Sequence, residues 1–270
     1  MSVEAQPQLE TGWLARTAVE DNLLRQFVHS QAVVNAITAA AIGGRTEHSD
    51  DVFLADTGGP VPYLNQAILT RPLTGADDPT LRTIESFFHE ASPSGRPATL
   101  LSIWPTPDLS SRGWSLVGHP AMVLRAPDAA VHEPSPGVDV RVATAPEDFT
   151  TAERIAVEGY PFEEAQDLPA GSLFPPALKG TDLVVRLGLL DGETVAVGNV
   201  VVAHGLVNLC LGATMPAARR RGVWEALVWA RVDEAAELPA VAYTSDYSRP
   251  GFLQMGFLPV TRFTLWCRNA

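Results

Sequence analysis

The sequence predicts an α/β (α+β) protein built from two mixed, largely antiparallel sheets flanked by helices, the first a degenerate version of the second. Three observations lead there. Three long strand patterns joined by tight-turn dipeptides run through residues 183–214, a proline-rich aperiodic stretch at 126–137 divides the chain into parts of similar size, and the element order of the second part recurs in the first. With 270 residues, 46% hydrophobic and 19% charged, the chain can bury one or two cores and is unlike a disordered, collagenous or coiled-coil sequence.

Residues 1–130 are expected to form the degenerate N-terminal domain and residues 138–270 the domain that carries the chemistry. In the first, residues 14–42 supply helices, 52–55 and 65–70 read as strands, 81–90 as a helix and 99–104 as a strand. In the second, 138–142 is a short strand and 151–160 a helix with Glu153 in its first turn, followed by a proline-broken region at 161–179. Strands at 183–190, 194–203 and 206–214 turn at Asp191-Gly192 and His204-Gly205. Val223, Ala226, Leu227 and Ala230 fall at i, i+3, i+4 and i+7, which makes a helix running to about Leu238. After Pro239 come a strand at 240–244, a short helix at 249–255 and a final strand at 261–267. The run SRGWSLVG at 111–118 parallels SRPGFLQMG at 248–256 with one residue inserted, as a decayed duplication would.

Charge narrows the partners. Nineteen basic residues against 31 acidic give a net charge of -12, which repels a phosphate backbone and argues against nucleic acid or an anionic membrane. A cationic substrate is favoured instead. Two cysteines make no disulfide framework, and the opening MSVEAQPQLE has no basic start or apolar run, so a cytoplasmic location is expected. Residues 194–218 lack charge, but glycines, asparagines, His204 and Pro216 interrupt them, and the pattern is two strands and a turn rather than a membrane span.

Several chemistries fall away. Lys179, the only lysine, has no glycine loop before it, and no strand is followed by G-x-G-x-x-G. The six histidines show no metal-ligand spacing, so no metal is expected. Cys210 lies in an apolar strand and reads as core rather than nucleophile. What remains is Arg219-Arg220-Arg221-Gly222 between a strand and an amphipathic helix. Free N–H groups and the positive end of the dipole make such a corner an anion site, and glycine lets a ligand approach the backbone. The corresponding corner of the first part carries Asp77 and Asp78 instead, which would repel a pyrophosphate and cap the helix.

Pro216-x-x-Arg219-x-x-Gly222 after a strand and before a helix, with Gly256-Phe257 closing a short helix before a last strand, resembles the GNAT superfamily of acyl-CoA-dependent N-acyltransferases. The resemblance covers residues 138–268, and the first part looks like a decayed further copy of the same domain, as in tandem members of the superfamily. It implies acetyl-CoA as cosubstrate. In that family the Arg-x-x-Gly turn cradles the coenzyme A pyrophosphate, which assigns Arg219, Arg220, Arg221, Gly222, Val223 and Trp224 to the loop; the strand before it, here Gly212, Ala213, Thr214 and Met215, splays open to pair with the pantetheine arm. Two departures stand out. Trp224 occupies a place that is commonly glycine or alanine, so either the cofactor passes the indole or the indole points into the core. Phe252 replaces the tyrosine that many members use to protonate the departing thiolate.

The implied reaction is direct transfer of an acetyl group to a primary amine of a small molecule or peptide. The amine must lose a proton first, and Asp246 is the first candidate base. Tyr247 or Ser245 would serve as acid, and Glu163, Glu164 and Asp167 as an acidic lip that draws in the amine. The alternative reading is a non-catalytic acyl-CoA-binding or regulatory protein, and a third is a dimerisation scaffold; a homodimer is left open.

Overall fold

The computed structural model describes residues 23–90, 92, 95–127, 132–160 and 163–269. Residues 14–22 of the expected helical segment lie outside them. The chain begins with α1 (Leu23–Ile42), then β1 (Arg45–His48), β2 (Val52–Asp56), β3 (Gln66–Leu69), α2 (Pro79–Glu90), β4 (Ala98–Ser102), β5 (Ser115–Gly118) and β6 (Ala121–Arg125). The second part holds β7 (Val138–Val142), α3 (Pro146–Gly159), β8 (Leu183–Leu190), β9 (Glu193–Ala203), β10 (Leu206–Thr214), α4 (Val223–Val232), β11 (Ala240–Thr244), α5 (Arg249–Gln254), β12 (Leu258–Arg262) and β13 (Thr264–Arg268).

Local chemistry accounts for most boundaries. The β8–β9 and β9–β10 hairpins turn on Asp191-Gly192 and His204-Gly205, whose φ values of 52, 87, 52 and 72° are all left-handed, as a two-residue type I′ turn requires. Helix α3 begins at Pro146 rather than 151, because Pro146 suits the first helical position and Asp148 accepts the Ala145 N–H at 3.0 Å. Helix α4 stops at Val232, short of Leu238, and continues as a 3-10 turn at Asp233–Ala235. Strand β1, RTEH, is a mostly exposed edge with no apolar alternation, so nothing in its pattern marks it as a strand.

The two sheets run β1-β2-β3-β4-β13-β5 and β12-β6-β11-β10-β9-β8-β7. Each has one parallel pair, β3/β4 and β10/β11, bridged by a helix (α2 and α4), and the remaining pairs are antiparallel. The repeated order agrees with an internal duplication.

Sheet membership does not follow the linker. Strand β6, from the first part, lies between β11 and β12, and β13, from the last residues, lies between β4 and β5. The single strand expected at 261–267 is therefore two strands that enter different sheets, separated by Phe263. That residue is fully buried and stacks on Phe27 of α1 at 5.1 Å. The two crossings touch: Phe263 N–H donates to Pro120 O at 2.9 Å, and His119 Nδ1 lies 3.2 Å from Phe263 O. Helix α1 packs against β2 and β3 on one side and β9 and β10 on the other, so its Phe27 and Val28 share a core with Ile68, Leu101, Met122 and Val241. Among the described residues no helix is long and apolar enough to cross a membrane.

Candidate functional site

Strands β10 and β11 pair for three residues only, Val207 with Ala240, Asn208 with Val241 and Leu209 with Ala242. Leu211 then takes φ +40° at a bulge between Cys210 and Gly212, and β10 follows β9 while leaving β11. The sheet opens as a V whose β10 edge presents backbone groups without a strand partner, a surface that an extended ligand can extend as a strand would. Gly212, Ala213 and Thr214 lie on that arm, paired on the other side with Gly198, Val197 and Ala196, and Met215 N–H donates to Val195 O.

Helix α4 starts beside the arm. Gly222, its N-cap, has φ +83°, and no side chain caps the helix, so the N–H groups of Val223, Trp224 and Glu225 are without intrahelical partners. Arg219 is committed to structure: its Nε donates to Thr214 O at 3.2 Å and its Nη2 to Gly159 O at 2.9 Å, tying the turn to the ends of β10 and α3. Arg220, at φ +62°, and Arg221 are exposed, the latter 3.1 Å from Asp191. Val223 is buried, with Gly188 leaving room for its side chain. The end of the linker folds over this corner. The His132 ring stacks on Trp229 with centroids 3.5 Å apart, and a Cβ on Gly222 would lie 2.7 Å from Ser135 Oγ.

Trp224, partly buried, packs against the core that holds Phe252 and Phe257, and it does not leave the V clear. Its ring reaches α5, where a Cβ on Gly251 would lie 2.7 Å from Cζ3, and meets Phe252 edge-to-face at 5.0 Å. Its Nε1 lies 3.7 Å from the corresponding point on Gly212. The indole therefore spans the opening from β10 to α5.

Behind it is a cavity of about 470 Å³ that extends to α1. Ser245 lines it and shares a 3.2 Å hydroxyl contact with Ser248. Asp246 reaches the rim, 81% exposed and 3.3 Å from Arg262. Tyr247 does not belong to the cavity: it is 99% exposed, because it follows β11 into an outward turn. Glu164 and Asp167 are exposed and do not line the cavity, and the side chain of Glu163 lies outside what is described. Glu164 nevertheless stands close enough to the cavity phenol Tyr63 to raise its pKa.

The tyrosines that do line the cavity are Tyr63, Tyr160 and Tyr243, none of which spacing singles out. Burial raises the pKa of all three, and the neighbouring phenols raise that of Tyr243 further, so each stays protonated at neutral pH. Burial also pushes the Cys210 thiol up to about 12. Amides from both parts form a relay along the wall: Asn208 Nδ2 to Gln31, Gln31 to Asn35 and Asn35 to Gln66, at 3.4, 3.4 and 2.9 Å. Arg231 was detectable in principle, since it continues the buried Val223–Leu227 stripe at i+4, a position where a charge is anomalous. Among the described residues no cluster of three or more histidine, cysteine or acidic side chains could hold a metal ion.

No family model and no curated protein matches the sequence. In three dimensions the chain is similar to a GCN5-related N-acetyltransferase from Kribbella flavida, with 19% identity and a TM-score of 0.62 over 88% of this chain and 95% of that one. It is similar also to a GCN5-related N-acetyltransferase from Sphaerobacter thermophilus, at 12% identity and TM-score 0.53 over 89% and 91% of the two chains. A functionally unknown conserved protein from Staphylococcus epidermidis matches at 10% identity and TM-score 0.61 over 84% and 95%. The chain has the GNAT fold.

Proposed function

We propose that the protein is an acyltransferase that moves an acetyl group from acetyl-CoA directly to a primary amine of a small molecule or peptide. The observation that carries this reading is the V between β10 and β11 beside the uncapped start of α4. The N–H groups of residues 222–224, with Arg220 and Arg221, suit a pyrophosphate, and the open edge of Gly212–Thr214 suits the amides of a pantetheine arm. Trp224 stands in that opening, so the arm requires the indole to swing away from Gly251.

An amine reaching the thioester must be neutral to attack it. Asp246 at the rim is a carboxylate placed to accept that proton, directly or through water, with Arg262 orienting it. Ser245, inside the cavity, can pass a proton between them. A cavity phenol, Tyr243 being the most enclosed, takes over the proton donation that Phe252 cannot perform. The test is affinity for acetyl-CoA in Arg220→Gln and Arg221→Gln. Losing one charge-assisted bond of about 1.5–3 kcal/mol weakens binding about 10- to 150-fold. Unchanged affinity in both would refute the loop assignment.

Phe252 and the indole in the V favour one second reading, a protein that binds acyl-CoA without transferring the acyl group. Thiol release with a panel of primary amines separates the two: turnover above that with water alone excludes the binding-only reading.

A further inference from the structure

Arg231 is 2% exposed, deep between α4 and the sheet, in space that Gly198 leaves open; a Cβ there would lie 2.8 Å from Cζ. Its Nε donates to Leu227 O at 3.0 Å and its Nη1 to Leu211 O at 3.1 Å and Asn199 O at 3.3 Å. Every one of these acceptors is a neutral carbonyl. No described carboxylate pairs with the guanidinium, and Nη2 makes no hydrogen bond to a described residue, although Arg231 lines the cavity. Burial pushes its pKa down to about 10, which leaves it charged at neutral pH. A buried cation without a counter-charge is costly unless something that binds there supplies one.

A second donor faces the same place. Trp224 Nε1 also lacks a hydrogen bond to a described residue and lines the cavity. The point where a Cβ on Gly212 would sit lies 3.6 Å from Arg231 Nη2 and 3.7 Å from Trp224 Nε1. The two donors thus flank a bare glycine. The rest of the wall is phenols, amides, hydroxyls, phenylalanines, Cys210 and aliphatic side chains, with His119 and Arg262 lining it only where they are exposed, and the only acidic residue lining the cavity among those described is Asp246 at the rim, paired with Arg262. One inner cation with two convergent N–H donors matches a singly charged, planar acceptor better than a phosphate dianion.

We propose that this cavity is a carboxylate site, in which the carboxylate of an organic acid is held by Arg231 Nη2 and Trp224 Nε1 against Gly212. The group has two sources: a free acid, including an amino acid that serves as acceptor, or an acyl group that itself ends in a carboxylate. The first source requires no coenzyme, so this site stands or falls separately from the acyl-transfer reading.

The test uses the full chain and calorimetry. Acetate, butanoate, benzoate and glycine are compared with acetamide, butanamide, benzamide and glycinamide, and succinyl-CoA with acetyl-CoA. The variants are Gly212→Ala and Arg231→Met. Gly212→Ala keeps the guanidinium in place and adds a methyl at ordinary contact distance from both donors, so it blocks the site without demanding a rearrangement. If the carboxylate comes from a free acid, at least one acid binds about tenfold tighter than its amide, and Gly212→Ala abolishes the preference while its Tm stays at the wild-type value. If it comes from the acyl group, the same pattern holds for succinyl-CoA against acetyl-CoA. Arg231→Met, where it folds, gives the same loss. A wild-type protein with no preference for either kind of carboxylate, or a preference that survives in Gly212→Ala, overturns the proposal. Binding of free acids with no affinity for any coenzyme A thioester would uphold the site and refute the acyl-transfer reading.

Discussion

Asp78 and Gly222 occupy matching positions at the starts of α2 and α4, and they make opposite choices. Asp78 accepts the Thr80 N–H at 2.9 Å and the Thr74 N–H at 2.8 Å, and Arg71 pairs with it at 2.9 Å. That guanidinium, together with the N–H donors, holds the Asp78 carboxyl well below the usual carboxylate range. The start of α2 is thereby neutralised, whereas that of α4 has no side-chain cap. Because the folded pKa is depressed, the stabilisation is present above the ordinary value of about 3.9 and is lost as pH falls below it. Asp78→Ala is expected to destabilise the protein by about 3 kcal/mol at pH 7. Denaturation midpoints from pH 7 to pH 3 check this: the gap between variant and wild type narrows at the acid end, and a constant gap contradicts the assignment.

At the scale of the element, α4 combines a legible start with a companion that is not. The Arg-x-x-Gly turn and the apolar stripe mark where the helix begins, since a glycine is needed at φ +83° whatever the rest of the chain does. Its covering by Ser135 and His132 has no pattern in the sequence, because a proline-rich segment without periodicity carries no signal of which surface it crosses. Gly222→Ala is expected to cost about 1–2 kcal/mol from the left-handed backbone alone, plus the contact with Ser135. Chemical denaturation of Gly222→Ala and of Gly222→Ala with Ser135→Gly separates the two contributions. Partial recovery in the double variant is expected, and full recovery would mean that the backbone contributes nothing. Trp224 is legible only as a departure. Its side chain could be recognised as too large for the place, but which of the two sides it fills depends on Gly251 and Gly212, which are 27 and 12 residues away in the sequence.

Across the whole molecule, the reciprocal placement of β6 and β13 joins the two parts into one folding unit. Each sheet lacks an internal strand without the other part, and the Asn208–Gln31–Asn35–Gln66 relay and the core around Phe27 and Phe263 span both. Removing β6 would expose the edges of β11 and β12 and leave their backbone groups unpaired. Residues 138–270 alone are therefore expected to show no cooperative thermal transition, whereas mixing them with residues 1–137 restores one. Calorimetry of the separate and mixed fragments checks this, and a sharp transition from 138–270 alone would refute it.

Hairpins, helix stripes, the arginine turn and the repeat are written in local periodicity and in residues with restricted backbones, so Asp191-Gly192, Val223–Leu227 and Gly222 could be placed from neighbours a few positions away. The destination of a strand is not local. Residues 261–267 read as one strand, and nothing within them says that Phe263 separates two pieces that enter different sheets; that choice depends on burying its ring against Phe27, more than 200 residues earlier. The same holds for the cavity. Arg231 and Trp224 share α4, but Tyr63, Gln31 and Tyr243 come from distant segments, and their meeting reflects packing free energy summed over the entire fold, a quantity that no window of sequence contains.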